Sequence, residues 1–304
     1  MARFLVVGGT GLIGQAIVQR LLERGDEVAI GTRSPFRLGS LGERVTRLPL
    51  DPREWDKAAS EAPFAGVVNL AGQSIFGGRW TDETKTAILQ SRLATTRMIV
   101  EWIEAAPVRP GVLVSASAVG FYGPNERDEL TEDSYPLRRD FLATVADAWE
   151  KAAEAAEPSG VRVIKARLGV VLSRAGGALP HLLLPYRLRV GGTIGNGRQW
   201  VSWVHVEDAA RLFEFALDRA DIAGPLNVTA PAPLTMRELG RAIAAEFGTH
   251  NLLPLPAFAI RAVLGEAGDL ILAGQKVMPN KALAAGYTFQ YQTIREALQQ
   301  LLSN

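Results

Sequence analysis

The chain of 304 residues contains no cysteine, and that omission removes disulfides and thiolate metal centres from consideration. Histidine is nearly absent as well: His181, His205 and His250 stand far apart, in no ligand-spaced cluster with carboxylates, so no metal site is expected. Neither sign of charge is in excess. A formal net charge of +1 gives no global field for nucleic acid or an anionic membrane, and neither is expected as a partner. No apolar run reaches the roughly 20 residues of a membrane span. The N-terminus enters an apolar strand without the pattern of a secretory signal, so the expected location is cytoplasmic. The chain has no internal repeat, and its 47% hydrophobic content can fill one large core with a smaller unit attached.

What is present centres on Val6-Val7-Gly8-Gly9-Thr10-Gly11-Leu12-Ile13-Gly14. An apolar strand, Phe4 to Val7, enters this stretch, and a helix-spaced apolar pattern leaves it at Gln15 to Leu22. Glycines at such a turn permit a tight bend, close approach of the backbone to phosphate and close packing of helix on strand. Gly8, Thr10, Gly11, Leu12, Ile13 and Gly14 are therefore expected to bind a dinucleotide diphosphate, aided by the unpaired amides of the helix start. A second strand, Glu27 to Gly31, follows at β-α-β distance. The acidic residue that would hold a ribose 2′-hydroxyl is missing from its end, which reads Thr32-Arg33-Ser34. A guanidinium flanked by hydroxyls suits a 2′-phosphate, so NADP is expected over NAD.

Strand and helix patterns then alternate, and the expected fold is α/β: a Rossmann-type doubly wound parallel sheet with a smaller, mostly helical C-terminal substrate domain. Residues 1–172 with 205–221 make up the expected dinucleotide-binding domain; 173–204 with 222–304 make up the smaller one. Open parallel sheets bind ligands beyond the carboxyl ends of their strands. That rule places Asp51 beside the adenine and brings Leu70, Ala71, Gly72, Ser115, Leu168 and Val171 to the cofactor. Arg92, within a long helical pattern from Trp80 to Ile103, is assigned to cofactor phosphate or an acidic substrate. Ser117, at the end of the strand Val112 to Ser117, with Ser115 competing for the same place in another register, and Tyr122, in the turn Phe121 to Pro124, are the catalytic candidates. Trp80, Trp200 and Trp203 are pocket or core residues, and His205 is a structural histidine.

Together the opening glycines, Asn69-Leu70-Ala71-Gly72, the stretch Ser117 to Gly123 and Trp203-Val204-His205-Val206-Glu207-Asp208 resemble an extended short-chain dehydrogenase/reductase. More narrowly, Arg79-Trp80, Lys85 to Arg92, Trp149-Glu150, Arg167 to Leu172, Leu255-Pro256-Ala257-Phe258, Leu264-Gly265-Glu266, Gly274-Gln275-Lys276-Val277 and Gly286-Tyr287 resemble the atypical branch called epimerase family proteins, the SDR39U type. The resemblance implies a Rossmann core and NADP binding. Its superfamily works with Tyr-x-x-x-Lys, the tyrosine exchanging a proton and the lysine lowering its pKa. Here no tyrosine is followed four residues later by lysine; Leu142 and Ala146 fall near those places, and Lys151 reads as a solvated helix residue. Two functions remain open. One is an NADP-dependent oxidoreductase or epimerase acting on a small carbonyl or sugar-like substrate; the other is a non-catalytic NADP(H)-binding regulator.

Overall fold

The opening apolar run forms β1 (Arg3–Val7), an inner strand of a seven-stranded sheet in the computed structural model, which describes residues 1–33, 43–75, 78–136, 140–251 and 255–303. Outward from β1 on one side lie β2 (Glu27–Gly31) and β3 (Thr46–Leu48). On the other side stand β4 (Gly66–Asn69), β5 (Val112–Ala118), β7 (Arg162–Leu168) and, at the edge, β12 (Gly224–Val228). Every neighbouring pair is parallel. The chain builds outward in one direction, returns to β4, and builds outward in the other. The switch between β1 and β4 opens a crevice at the carboxyl ends of the strands.

Alternate residues of β1 feed the two faces of the sheet: Phe4 and Val6 join one apolar core, Leu5 and Val7 the other. Helices α1 (Leu12–Glu23) and α6 (Val206–Asp218) cover the first face; α2 (Pro52–Glu61), α3 (Asp82–Ala105) and α4 (Phe141–Glu154) cover the second. Four of these helices start at a capping side chain that accepts a first-turn amide: Asp51, Thr81, Asp140 and His205. The exception is α1, where the cap position is Gly11 and no side chain serves.

The smaller unit has its own core, in which Leu183, Tyr186, Trp203, Leu239, Ile243 and Leu298 are buried together. Around it run α5 (Leu179–Arg187), α7 (Met236–Glu246) and α11 (Ile294–Leu302), with Ile271 of α9 (Asp269–Leu272) packed against it; α8 (Ala257–Leu264) precedes α9, and α10 (Asn280–Ala284) packs Ala282 into the α1 side of the large core. Short strands tie these helices together: β8 (Val170–Ser173) between β9 (Gly176–Gly177) and β11 (Trp203–His205), and β10 (Trp200–Val201) with β13 (Leu234–Thr235). A further pair joins β6 (Asn125–Leu130) to β14 (Gln275–Val277). The strand at Leu226 to Val228, assigned from sequence to the smaller unit, instead completes the large sheet beside β7. Leu226 and Val228 are wholly buried in the core under α6, which needs a sheet edge to cover.

Candidate functional site

The β1–α1 turn has little room for side chains. Gly8 has φ +89°, and a Cβ there would meet the Leu70 carbonyl carbon at 2.9 Å, so this turn also locks against the exit of β4. A Cβ on Gly14 would lie 2.4 Å from the Gly8 carbonyl oxygen and 2.7 Å from Gly9 Cα. The amide of Gly11 donates to the Gly8 carbonyl at 3.0 Å and that of Gln15 to the Gly11 carbonyl at 2.9 Å, and among the described residues no acceptor takes the first-turn amides of Leu12, Ile13 and Gly14. Gln15 Nε2 donates to the Thr10 carbonyl and braces the loop. At the end of β2, Thr32 is buried and its amide donates to the Leu48 carbonyl, while Arg33 projects into solvent. Ser34 lies outside the described residues. Asp51 accepts from the Arg53 amide at 3.0 Å as the cap of α2.

On the other half of the crevice, Asn69 closes β4 with a buried carboxamide that donates to Thr96 Oγ1 at 2.9 Å and Ser115 Oγ at 3.2 Å. Its Oδ1 accepts from the Ala71 amide, which turns the Leu70-Ala71-Gly72 segment across the strand ends. Ser115 is consumed by this network, and Trp149 Nε1 donates to the same Thr96 hydroxyl. Leu168 and Val171 pack at the margin of the α1 side of the core. Arg92, on α3, passes so close to Gly72 that a Cβ there would sit 3.1 Å from its Cζ. Its NH1 donates to the carbonyls of Gln73 and Ile88 at 3.0 and 2.9 Å, and its guanidinium lies 5.0 Å from the centre of the Trp149 ring. Burial pulls this guanidinium down to about 10, and no carboxylate faces it among the described residues.

Ser117 and Tyr122 are brought together, but in a closed cluster. Ser117 Oγ donates to Glu150 Oε1 at 2.6 Å, and Arg167 grips both oxygens of that carboxylate, Nε to Oε1 at 2.8 Å and NH2 to Oε2 at 2.9 Å. Arg167 NH1 donates to the Tyr122 hydroxyl, which donates in turn to Asn227 Oδ1 at 2.7 Å. Its guanidinium also lies 3.6 Å from the centre of the Phe121 ring. Burial, only partly offset by Arg167, pushes the Tyr122 phenol up to about 12. The candidacy of Tyr122 for catalysis therefore meets an opposing geometry: the hydroxyl is engaged on both sides, the residue is 1% exposed, and its acidity is lower than a free phenol's. Ser117 keeps its place at the end of β5, yet its proton points to Glu150, so Oγ has only lone pairs to offer a ligand.

The sequence reading missed this ion pair, although a signal was available. Glu150 and Glu154 are one helical turn apart on α4, and Lys165 and Arg167 are two residues apart on β7. Four helical residues rise about 6 Å and two strand residues about 6.6 Å, so the charges match rung for rung. Glu150 pairs with Arg167, and Glu154 with Lys165. Lys151 points outward to Asp147 and is 65% exposed, the solvated residue expected.

The smaller unit reaches the rim of the crevice at several points. Arg79 donates to the carbonyl oxygens of Ala262 and Val263 at the end of α8, and Lys85 pairs with Glu266. Leu12, the first residue of α1, stands where a Cβ on Gly177 of the β8–β9 hairpin would touch it. Trp80 packs edge-on to Phe141 beside this rim, whereas Trp203 is core. His205 is structural: Nδ1 accepts from the Glu207 amide, Nε2 faces Gln300 Oε1 at 2.9 Å, and Tyr291 lies against the ring. Among the described residues there is no group of three or more histidines and carboxylates that could hold a metal, and no helix long and apolar enough to cross a membrane.

Comparison with known proteins agrees with this architecture. A family model described as the NAD dependent epimerase/dehydratase family matches residues 4–228, and a domain of unknown function matches 255–301. The epimerase family protein YfhF of Bacillus subtilis is 40% identical over 98% of this chain and 97% of its own length. The crystal structure of human epimerase family protein SDR39U1 with NADPH superposes with a TM-score of 0.87 at 36% identity, covering 99% of each chain. Thermus thermophilus UDP-glucose 4-epimerase, solved with NAD, shares the fold at a TM-score of 0.77, with 24% identity over 98% of this chain and 97% of that one. The doubly wound sheet, the glycine turn at its switch point and these matches place the chain in the NAD dependent epimerase/dehydratase family, among the relatives named epimerase family proteins.

Proposed function

We propose that this protein is an NADP(H)-dependent oxidoreductase or epimerase of the extended short-chain type, acting on a small carbonyl or sugar-like compound. The observation that carries the reading is the uncapped start of α1, set against Gly8, Gly11 and Gly14, whose nearest neighbours are backbone atoms, where the strand order reverses. Such a donor set fits a diphosphate. In this reading Gly8, Thr10, Gly11, Leu12, Ile13 and Gly14 hold the diphosphate, and Thr32, Arg33 and Ser34 receive the 2′-phosphate. Asp51 borders the adenine, and Leu70, Ala71, Gly72, Leu168 and Val171 line the remainder, with Ser115 buried behind them as a partner of Asn69. The NADPH bound by the human relative supports NADP over NAD. When bound, the cofactor supplies or accepts a hydride. The chain's own residues fix the geometry and keep water out. Ser117, buried with its proton held by Glu150, steadies the end of β5 beneath the site rather than meeting substrate. The smaller unit, without β12, closes the substrate side.

Calorimetric titration tests the cofactor assignment. NADPH should bind more tightly than NADH, and Arg33→Ala should weaken NADPH alone by about 1.5 to 3 kcal/mol, the worth of a charge-assisted hydrogen bond. Equal affinities of the unaltered protein for the two cofactors would overturn it. NADPH oxidation across aldehydes, ketones and quinones tests the activity. A second reading, a non-catalytic NADP(H)-binding regulator, is favoured by the enclosed Tyr122 hydroxyl and the missing Tyr-x-x-x-Lys. Tight NADPH binding with no turnover on any panel member would shift the balance toward it.

A further inference from the structure

The cations along the α3 side of the crevice are not used alike. Lys85 is neutralised by Glu266, and Arg79 is spent on the carbonyl oxygens that end α8. Arg92 is held just as firmly, but by uncharged groups. Two backbone carbonyls take its NH1, the Trp149 ring lies over the guanidinium, and Gly72 closes in where no side chain intervenes. Among the described residues, the edge formed by Nε and NH2 has no hydrogen-bond acceptor. A guanidinium fixed in this way presents two parallel N–H donors, the fork that matches a carboxylate. Desolvating a cation without a counter-ion costs free energy, and the same site recovers that cost when an anion docks.

Position narrows the choice of anion. Helix α3 links β4 to β5, so Arg92 belongs to the β4–β5–β7 half of the sheet. The turn assigned to the diphosphate and the Arg33 assigned to the 2′-phosphate both belong to the β1–β2 half. We infer that Arg92 is the recognition site for a carboxylate on the substrate, which makes the substrate a small carbonyl acid. The inference rests on the dinucleotide reading above and extends it from cofactor to substrate class. Arg92 is a binding residue here, with the indole of Trp149 and the carbonyls of Gln73 and Ile88 as its positioning groups.

Binding, read without turnover, tests it. The protein is saturated with NADP+, which has no hydride to give to a carbonyl, and titrated calorimetrically with pyruvate and with its neutral analogue pyruvamide; the same titrations, and a separate titration with NADPH, are run on Arg92→Gln and Arg92→Lys. Pyruvate should bind the NADP+ complex at least about tenfold more tightly than pyruvamide, the margin of one charge-assisted pair. Arg92→Gln should erase that preference while leaving NADPH affinity within about twofold, and Arg92→Lys, which keeps the charge but loses the fork, should fall between. Equal binding of pyruvate and pyruvamide, or binding of neither, overturns the inference. So does a tenfold or greater loss of NADPH affinity in both variants, which would assign the guanidinium to cofactor phosphate. Failure of NADPH itself to bind the unaltered protein would instead strike the dinucleotide reading, and the NADPH titration reveals it separately. Should Arg92→Gln not fold, Arg92→Lys alone still decides, since an unchanged pyruvate preference in it leaves the fork without a role.

Discussion

Two arginines flank helix α4, and their surroundings differ in one respect. Arg167 and Arg92 are both withdrawn from water, and both lie over an aromatic ring, Phe121 for one and Trp149 for the other. Burial pulls each guanidinium down, but around Arg167 the carboxylate of Glu150 and the hydroxyl of Tyr122 outweigh it and hold the group above its ordinary value. Around Arg92, among the described residues, no carboxylate offsets burial. A buried cation whose donors are met by a carboxylate is part of the fold. One whose donors are left over at the mouth of a crevice is available to a ligand. Residue type alone does not separate the two; the presence of a facing acid does.

The difference can be broken most directly by removing each charge in turn. Arg167→Met leaves Glu150 buried without its partner and should cost about 3 to 5 kcal/mol of stability. Arg92→Met abandons no carboxylate and should cost far less. Urea unfolding of the two variants measures both, and equal losses would erase the distinction. Tyr122→Phe sharpens the same point at smaller scale. It keeps the ring but strands Asn227 Oδ1 and one donor of Arg167, so it should lower stability by about 1 to 3 kcal/mol. Turnover per folded molecule on any substrate found should stay unchanged, and a hundredfold fall would restore the phenol to catalysis.

The smallest effect concerns a third buried base. Desolvation lowers the pKa of His205, against weaker raising by Gln300, Glu207 and Asp208, so folding favours the neutral ring that caps α6. Because the folded pKa is depressed, the unfolded chain takes the proton first. Stability should decline as pH falls through about 6.5, the unfolded value, and level off below the folded value. His205→Asn, which retains a capping side chain, should flatten that part of the profile; an unchanged slope would place its origin elsewhere.

The legibility of these features follows the distance over which they are encoded. The glycine turn and the alternation of strands and helices are local, each specified within a few residues, and the sheet apart from its β12 edge was readable from them. The missing acid after β2 was equally local. The surroundings of Arg92 were not, because the ring beneath it is 57 positions away in a different helix. Nor was the enclosure of Tyr122, whose acceptor Asn227 is 105 residues distant, on a strand the sequence assigned to the smaller unit. Ser117 could be placed at the end of its strand by pattern. The direction of its proton depends on Glu150, which had been read only as a mark of resemblance.

The paired rungs between α4 and β7 act as a vernier. A slide of α4 by one turn along the strand would bring one acid opposite the wrong base and leave the other pair unmatched, so the helix has a single electrostatic setting along its axis. Trp149 is the residue next to Glu150, carried on the same backbone but turned toward α3. The setting that seats Glu150 on Arg167 thus also sets the height of the indole on which Arg92 rests. A structural ion pair on one side of the helix calibrates the aim of a free charge on the other.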